Sequence, residues 1–312
     1  MKRVTVLMTL IALLLLPAEA APQEPTSGQP DQTITIDVDL VNVLFSVSDK
    51  RGRLYTNLTK DELRVYEDGD LQTITNFSSE TDLPLTVALL VDTSGSIRDK
   101  LRFEQEAAIE FFYSTLRRKT DQALLIAFDS GVDLLQDFTD NAETLAQAVR
   151  KIRAGGGTSL YDAIYLAINE KMAGQPGRKV LIVISDGDDN ASRISMTETM
   201  EIAQKNDVTL YTISTNSTAH FGTRSQHRGD RTLRTFAEDT GGRAFFPFKL
   251  EELAVNFENI SEELRSQYTL AYVPTNRARD GSYRVIKVES RNRDYRVKAR
   301  KGYYAPLDSF PN

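Results

Sequence analysis

The sequence predicts an α/β fold: a doubly wound, mainly parallel sheet that is inserted in or flanked by a small all-β sandwich module. Between residues 83 and 267, short apolar runs alternate with amphipathic helical segments, as in a parallel sheet covered on both faces. On either side, at residues 33–80 and 268–305, apolar and polar residues alternate as in half-buried strands. Two central runs, Leu85–Val91 and Val180–Ile184, are continuously apolar and suit strands that are buried on both faces.

The first twenty residues have the pattern of a signal peptide. Residues 2 and 3 are basic, Val4–Leu16 form an apolar core, and residues 18–20 (Ala-Glu-Ala) form a small-x-small cleavage site. The apolar core has 13 residues, fewer than the ~20 that span a bilayer. We therefore expect cleavage, with an uncleaved anchor as the alternative. Residues 21–32 are rich in Pro, Gln and Gly, which predicts a disordered leader.

The predicted export signal and the net charge limit the kinds of molecule that we expect this protein to bind. A cleaved signal predicts a secreted or periplasmic protein. Removal of Lys2, Arg3 and Glu19 with the signal takes away a net +1, so the formal net charge changes from −6 to −7. This acidic balance argues against nucleic acid and against an anionic membrane surface as partners. No second long apolar run follows, so we expect no transmembrane segment after signal cleavage. The chain has no Cys, which excludes disulfides and a lipidated Cys.

The stretch at residues 33–80 predicts the first part of the sandwich. Apolar residues alternate with polar ones from Ile34 to Leu40, and an apolar run follows to Val47. The segments 63–67 and 71–74 flank an Asp-Gly pair, which is typical of a hairpin turn.

The central region predicts alternating strands and helices from its apolar periodicity. The predicted elements, in chain order, are strand Leu85–Val91, helix Arg98–Arg118, strands Leu124–Phe128 and Val132–Leu135, helices Ala142–Ile152 and Leu160–Met172, strand Val180–Ile184, helix Met196–Lys205, strand Val208–Ile213, helix Thr232–Asp239, strand Arg243–Phe246 and helix Leu250–Gln267.

Strand patterns return after residue 267. The predicted strands are Tyr268–Val273, Tyr283–Ser290 and Tyr295–Ala299, and residues 306–312 form a tail. Neither β stretch is large enough to bury a good core alone. We therefore predict one sandwich built from residues 33–80 and 268–305, with two separate β appendages as the alternative.

Polar side chains cluster at three places in this pattern. Asp92, Ser94 and Ser96 follow the first central strand, Thr158 follows a glycine run between two helices, and Asp186 follows the second apolar strand. In open α/β sheets, ligands bind at the carboxyl ends of the strands. Two carboxylates and three hydroxyls are an all-oxygen set that suits a hard divalent cation.

These residues resemble the metal-ion-dependent adhesion site of the von Willebrand factor type A (VWFA) domain, which integrin-like I domains also use. The resemblance covers residues 83–267, implies a VWA/Rossmann-like sheet, and matches all five site positions. It implies that Ser94, Ser96 and Thr158 bind the metal through hydroxyls, whereas Asp92 and Asp186 act mainly through bound water and hydrogen bonds. Residues 82–306 also resemble a VWFA-related family of secreted proteins, notably from acidobacteria.

The resemblance implies a function in binding. It implies Mg²⁺, or Mn²⁺ or Ca²⁺, as the cofactor, and a first shell of neutral hydroxyls leaves such a cation attractive to an anionic oxygen. We expect an exported, adhesion-type module whose protein partner presents Asp or Glu to the metal. The alternative is a structural or assembly scaffold of a cell-envelope complex.

An enzyme, such as a hydrolase, is less favoured by the sequence. Ser94 stands where phosphotransferases with an aspartyl nucleophile have a second acid, and neither a nucleophile elbow nor a phosphate-binding loop is present. The two histidines, His220 and His227, lie in the polar stretch 216–230, which predicts a surface loop rather than a zinc site.

A calcium loop is also less favoured. Residues 186–190 (Asp-Gly-Asp-Asp-Asn) resemble the start of one, but Ala191 stands at position six, where such a loop needs Gly, and Thr197 stands at position twelve, where it needs Glu. We interpret Asp188 and Asp189 as solvated acids of the loop.

Overall fold

The computed structural model describes residues 40–79, 83–95, 100–216, 224–247, 249 and 252–308. The strands in these ranges are β1 (Val41–Asp49), β2 (Leu63–Glu67), β3 (Asp70–Gln72), β4 (Ile74–Ser79), β5 (Leu85–Asp92), β6 (Gln122–Phe128), β7 (Val132–Thr139), β8 (Arg178–Ser185), β9 (Val208–Ser214), β10 (Ala244–Phe245), β11 (Tyr268–Tyr272), β12 (Tyr283–Ser290), β13 (Tyr295–Ala299) and β14 (Gly302–Tyr304). The helices are α1 (Leu101–Thr115), α2 (Ala142–Val149), α3 (Leu160–Leu166), α4 (Met196–Lys205), α5 (Arg224–Asp239) and α6 (Glu252–Leu264), and α3 continues as a π-helical turn over Ala167–Met172.

Among the sequence predictions that lie outside these ranges are the signal peptide, the leader and the site residue Ser96. Among the residues that the structure does describe, no helix is both long and apolar enough to cross a membrane.

A six-stranded sheet carries the predicted α/β pattern. Its strand order is β10-β9-β8-β5-β6-β7. Every neighbouring pair is parallel except β6 and β7, which are antiparallel. The prediction of a mainly parallel sheet is therefore confirmed.

Side chains along β5 alternate between two apolar cores. Leu85, Val87 and Leu89 belong to the core under α1, α2 and α6. Ala88 and Leu90 belong to the core under α3, α4 and α5. Helices cover both faces of the sheet, so the side chains of β5 are buried on either face. Burial of apolar surface is the main favourable contribution to folding. This double coverage is the reason for the continuous apolar run in the sequence.

Two four-stranded antiparallel sheets flank the α/β domain, in the orders β13-β1-β11-β4 and β14-β12-β2-β3. Each sheet combines strands from both ends of the chain, since β1 pairs with β11 and β13, and β2 pairs with β12. Their shared core contains Phe45 and Tyr268, whose ring centroids lie 5.5 Å apart. The domain boundaries assigned from the sequence stay a prediction.

Helix α5 begins earlier than the sequence predicts. The prediction placed a helix at Thr232–Asp239 and a loop at 216–230, but α5 starts at Arg224 and includes His227, which is exposed. Its first turns pack against the polar loop that follows β8 rather than against an apolar core. They therefore lack the apolar periodicity that reveals a helix. His220 lies outside the described residues.

Strand β7 is also longer than predicted, ending at Thr139 rather than at Leu135. It lies at the edge of the sheet, where its side chains are only partly buried. Polar residues are tolerated there, so the pattern of the sequence ends before the strand does.

Candidate metal centre

Three parallel strands end beside one another at one edge of the central sheet. β5 ends at Asp92, β8 at Ser185 and β9 at Ser214, and β8 lies between β5 and β9. We call this the carboxyl edge. It is where the loops with the sequence-predicted site residues begin.

Asp92 is the most buried carboxylate of the carboxyl edge, with 0% of its surface exposed. Its Oδ1 accepts a hydrogen bond from the backbone N–H of Ser94 (2.9 Å), and its Oδ2 accepts one from the Ser185 hydroxyl (2.7 Å). Burial raises the pKa of Asp92 to about 6, the nearby charge of Asp186 adds to this rise, and the two serines oppose it. Both hydrogen bonds come from neutral donors, so neither compensates the charge of the carboxylate.

The loop after β5 is joined to the glycine-rich loop before α3. The N–H of Gly155 donates to the carbonyl of Thr93 at 2.7 Å, and the N–H of Gly95 donates to the carbonyl of Gly156 at 3.3 Å. These two bonds hold the loop of Ser94 against the loop of Thr158.

Thr158 is buried, with 3% of its surface exposed. Its backbone N–H donates to Asn190 Oδ1 at 3.0 Å, and its carbonyl accepts from the N–H groups of Asn190 and Ala191. Gly156 has a φ of +87°, and a Cβ there would lie 2.6 Å from a carboxylate oxygen of Asp129. A side chain at position 156 would therefore displace the loop that carries Thr158.

Asp186 lies on the loop after β8 and is half-buried. Its Oδ1 accepts from the N–H of Asp188 at 3.1 Å, and its carbonyl accepts from the Asn216 side chain at 2.9 Å. Asn216 also donates to Asp230 Oδ1 at 2.9 Å, which joins the loop after β9 to α5. The backbone at Asp186 is thus fixed from two neighbouring segments.

Four of the five predicted site residues lie on loops that these hydrogen bonds join at the carboxyl edge: Asp92, Ser94, Thr158 and Asp186. Sequence reasoning missed the supporting roles of Ser185 and Asn190. Ser185 directly precedes Asp186 in the sequence, and Asn190 follows it by four residues. Only the fold shows that Ser185 reaches Asp92 and that Asn190 reaches Thr158.

Asp188 and Asp189 are engaged with protein partners rather than being solvated loop acids, which corrects the sequence interpretation. Asp188 pairs with Arg228 at 3.4 Å. Asp189 Oδ2 accepts from the N–H of Tyr161 at 3.1 Å, at the start of α3, and also accepts from the Ser192 hydroxyl. Asp189 therefore stabilises a helix N-terminus.

The chemistry of the carboxyl edge fits a hard divalent cation. Among the described residues, no group of three or more His, Cys, Asp or Glu side chains is placed to hold a metal. Asp92 supplies a buried carboxylate whose hydrogen bonds, among the described residues, come from a backbone N–H and a hydroxyl rather than from a cation. Carboxylate and hydroxyl oxygens are the ligand types that Mg²⁺, Mn²⁺ and Ca²⁺ prefer. Ser94, Ser96 and Thr158 stay the predicted hydroxyl ligands of such an ion.

Two solved structures are similar to part of this chain. The vWF domain of the type V pili tip protein Mfa5 from Porphyromonas gingivalis is 14% identical, with a TM-score of 0.45, and the match covers 58% of this chain and 94% of that one. Proximal thread matrix protein 1 from the mussel byssus, in a form with a zinc-occupied MIDAS motif, is 16% identical, with a TM-score of 0.49 and coverage of 63% and 50%.

A human protein and a family model are also similar to this chain in sequence. Human von Willebrand factor A domain-containing protein 3A is 29% identical over 174 residues, which are 54% of this chain and 14% of the human protein. The chain therefore spans only a small part of that relative. The model of the von Willebrand factor type A domain matches residues 86–263, more than half of the 312 residues. The chain belongs to the von Willebrand factor type A domain family.

Proposed function

We propose that this protein is an exported binding module that captures an acidic side chain of a protein partner through a divalent cation. Domains of this family commonly bind protein partners and are generally not enzymes. Residues 1–20 supply the export signal in this proposal, and the protein acts in the periplasm or outside the cell.

The observation that carries the proposal is the environment of Asp92. The carboxylate is fully buried and its hydrogen-bond donors are neutral, which is costly for a charged group unless a cation compensates it. The hydroxyl-bearing residues Ser94 and Thr158 lie on the adjoining loops. The resulting site is poor in carboxylates and rich in neutral oxygens.

Each of these residues has a distinct role in the proposal. Asp92 orients the Ser94 loop through the backbone N–H and fixes the Ser185 hydroxyl. Asn190 fixes the backbone of Thr158. A bound Mg²⁺, Mn²⁺ or Ca²⁺ ion would supply a coordination position for a carboxylate oxygen of the partner. Because the protein ligands are mostly neutral, much of the cation's charge stays available to that carboxylate.

Calorimetric titration with Mg²⁺ and Mn²⁺ tests the cation. Wild type should bind one ion, and Asp92→Ala should weaken binding at least tenfold, because it removes the acceptor that orders the Ser94 loop. Asp70→Asn is the control, since Asp70 is an exposed acid on β3, outside the α/β domain. Equal binding by wild type and Asp92→Ala would reject the site.

A pull-down from the native envelope tests partner capture. Protein partners should be retained by wild type in Mg²⁺ and lost both in EDTA and with Asp92→Ala. Partners that are retained equally in all three cases would reject cation-dependent capture and favour the scaffold function.

A further inference from the structure

Glu104 is a buried acid that the proposed function does not use. It lies in the first turn of α1, and only 1% of its surface is exposed. Neither of its carboxyl oxygens has a hydrogen-bond partner in the described part of the chain. Buried polar groups are nearly always paired, so two unpaired oxygens on one carboxyl group require an explanation.

A short chain of contacts connects the backbone of Glu104 with Asp92. The N–H of Glu104 donates to the carbonyl of Lys100 at 3.1 Å, and Lys100 Nζ donates to the carbonyl of Thr215. The N–H of Thr215 donates to the carbonyl of Ser185 at 3.0 Å. The hydroxyl of Ser185 in turn donates to Asp92. The first turn of α1 is therefore tied to the loops of the carboxyl edge.

The charges of the carboxyl edge also reach Glu104. Burial raises the pKa of Glu104 to about 8, and the carboxylates of Asp92 and Asp186 raise it further, whereas Lys100 lowers it. Two fully buried acids, Glu104 and Asp92, thus act on one another, and the half-buried Asp186 adds a third negative charge. Such an arrangement is unfavourable for the protein alone and becomes favourable when a cation is added.

We infer that Glu104 is a third acid of the metal centre, which acts on the cation from outside its first ligand shell. Direct ligation is not part of this role, because Glu104, Asp92 and Asp186 are not arranged to hold a metal together. Its unpaired oxygens accept hydrogen bonds from water bound to the cation, and its negative charge strengthens cation binding. This inference rests on the proposed function and adds a determinant of cation affinity to it.

Removal of this acid should weaken the metal centre while the protein stays folded. Glu104→Gln keeps the size of the side chain and removes its charge. We expect Mg²⁺ and Mn²⁺ affinities 10- to 100-fold below those of wild type by calorimetry, the usual loss for a group outside the first shell. Thermal unfolding in EDTA should show a metal-free variant at least as stable as wild type, because an unpaired buried acid has been removed.

Two further variants make the test specific. Glu110→Gln removes the same charge from an exposed position of the same helix and should leave cation affinity unchanged. Glu104→Asp keeps the charge but shortens the side chain, and its affinity should lie between those of wild type and Glu104→Gln. It also serves as the test variant should Glu104→Gln not fold.

The outcomes separate this inference from the proposed function. Wild-type affinity in both Glu104 variants would overturn the inference and leave Glu104 as a buried acid only. Equal losses in Glu104→Gln and Glu110→Gln would also overturn it, since a general charge effect would explain both. Absence of cation binding by wild type itself would reject the proposed function.

Discussion

Gly187 lies where the loop that carries Asp186 meets helix α5. Its φ is +78°, and a Cβ at this position would lie 2.3 Å from the carbonyl oxygen of Gly229 in α5. Gly174 has a similar φ of +74° but has nothing within 4 Å of an added Cβ. An alanine at position 174 therefore carries only the cost of the backbone conformation, whereas an alanine at position 187 carries that cost and a steric clash.

We predict that Gly187→Ala destabilises the protein much more than Gly174→Ala does. Gly174→Ala should lower the free energy of unfolding by about 1–2 kcal/mol, the cost of a left-handed conformation. Gly187→Ala should cost several kcal/mol and should also weaken cation binding, because the clash displaces Asp186. Urea denaturation and calorimetry measure the two effects. Equal destabilisation by both variants would show that the contact with Gly229 is not tight.

Glu104 should make the stability of the metal-free protein depend on pH. Its pKa is raised from an ordinary value of 4.5 to about 8 in the folded state. A raised carboxyl pKa means that the folded state holds the proton more tightly than the unfolded state does. The stability that Glu104 contributes is therefore fully present below pH 4.5 and is lost as the pH rises to 8. Each pKa unit corresponds to about 1.4 kcal/mol.

We therefore predict that Glu104→Gln becomes more stable relative to wild type as the pH rises from 5 to 8. The groups that shift the pKa of Glu104 are Asp92, Asp186 and Lys100, and all three are kept in the variant. Denaturation in EDTA at several pH values measures the difference. A difference that does not change with pH would contradict the raised pKa.

At the scale of elements, one carboxylate in the last turn of α6 forms hydrogen bonds with strands of the α/β domain and of a flanking sheet. Glu263 is 2% exposed and accepts hydrogen bonds from Ser46 in β1 (3.0 Å), Tyr211 in β9 (3.3 Å) and Lys298 in β13 (3.4 Å). A buried charge with three donors from three strands stabilises one position of the helix.

We predict that Glu263→Ala lowers the free energy of unfolding by about 1–3 kcal/mol, the range for leaving buried hydrogen-bonding groups without a partner. It leaves the ammonium group of Lys298 and two hydroxyls without their acceptor. Glu262→Ala, an exposed neighbour in the same helix, should change the free energy by less than about 0.5 kcal/mol. Urea denaturation of both variants tests this, and similar values for the two would contradict it.

Elements with an apolar core on one or both sides were predictable from the sequence, whereas elements that pack on polar loops were not. β5 and β8 are continuously apolar because two cores enclose them. The start of α5 lacks this signal because it packs on the loop at Gly187. Ser185 directly precedes the predicted residue Asp186, but its hydrogen bond to Asp92 joins residues 93 positions apart and is revealed only by the fold. The burial of Glu104, and with it the effect of the Asp92 charge, likewise depends on the fold.

At the scale of the whole molecule, cation binding should stabilise the sandwich as well as the α/β domain. β1 pairs with β11, which follows α6 directly, and Glu263 joins α6 to β1. A ligand at 100 times its Kd adds about 2.7 kcal/mol to the stability of the unit that binds it. If the sandwich and the α/β domain unfold together, cation binding raises the free energy of unfolding of both.

We predict that saturating Mg²⁺ slows hydrogen exchange in β1 about as much as in β8. Exchange followed by mass spectrometry, with Mg²⁺ or with EDTA, measures both strands in one experiment. Asp92→Ala is the control, and Mg²⁺ should change exchange in neither of its strands. Slower exchange in β8 with unchanged exchange in β1 would show that the modules unfold separately.

The contacts of Arg178, at the start of β8, bear on how the α/β domain can be exchanged in evolution. Its guanidinium donates to the carbonyls of Leu83 and Leu264 and to the side chain of Gln267, so the points where the chain enters and leaves the α/β domain adjoin. The carboxyl edge lies at the other end of the eight-residue strand, about 25 Å away. A domain with adjacent ends can be replaced without changing the strands around it. Because β4 and β11, the strands before and after the α/β domain, pair with each other, recombination can exchange that domain as a single piece.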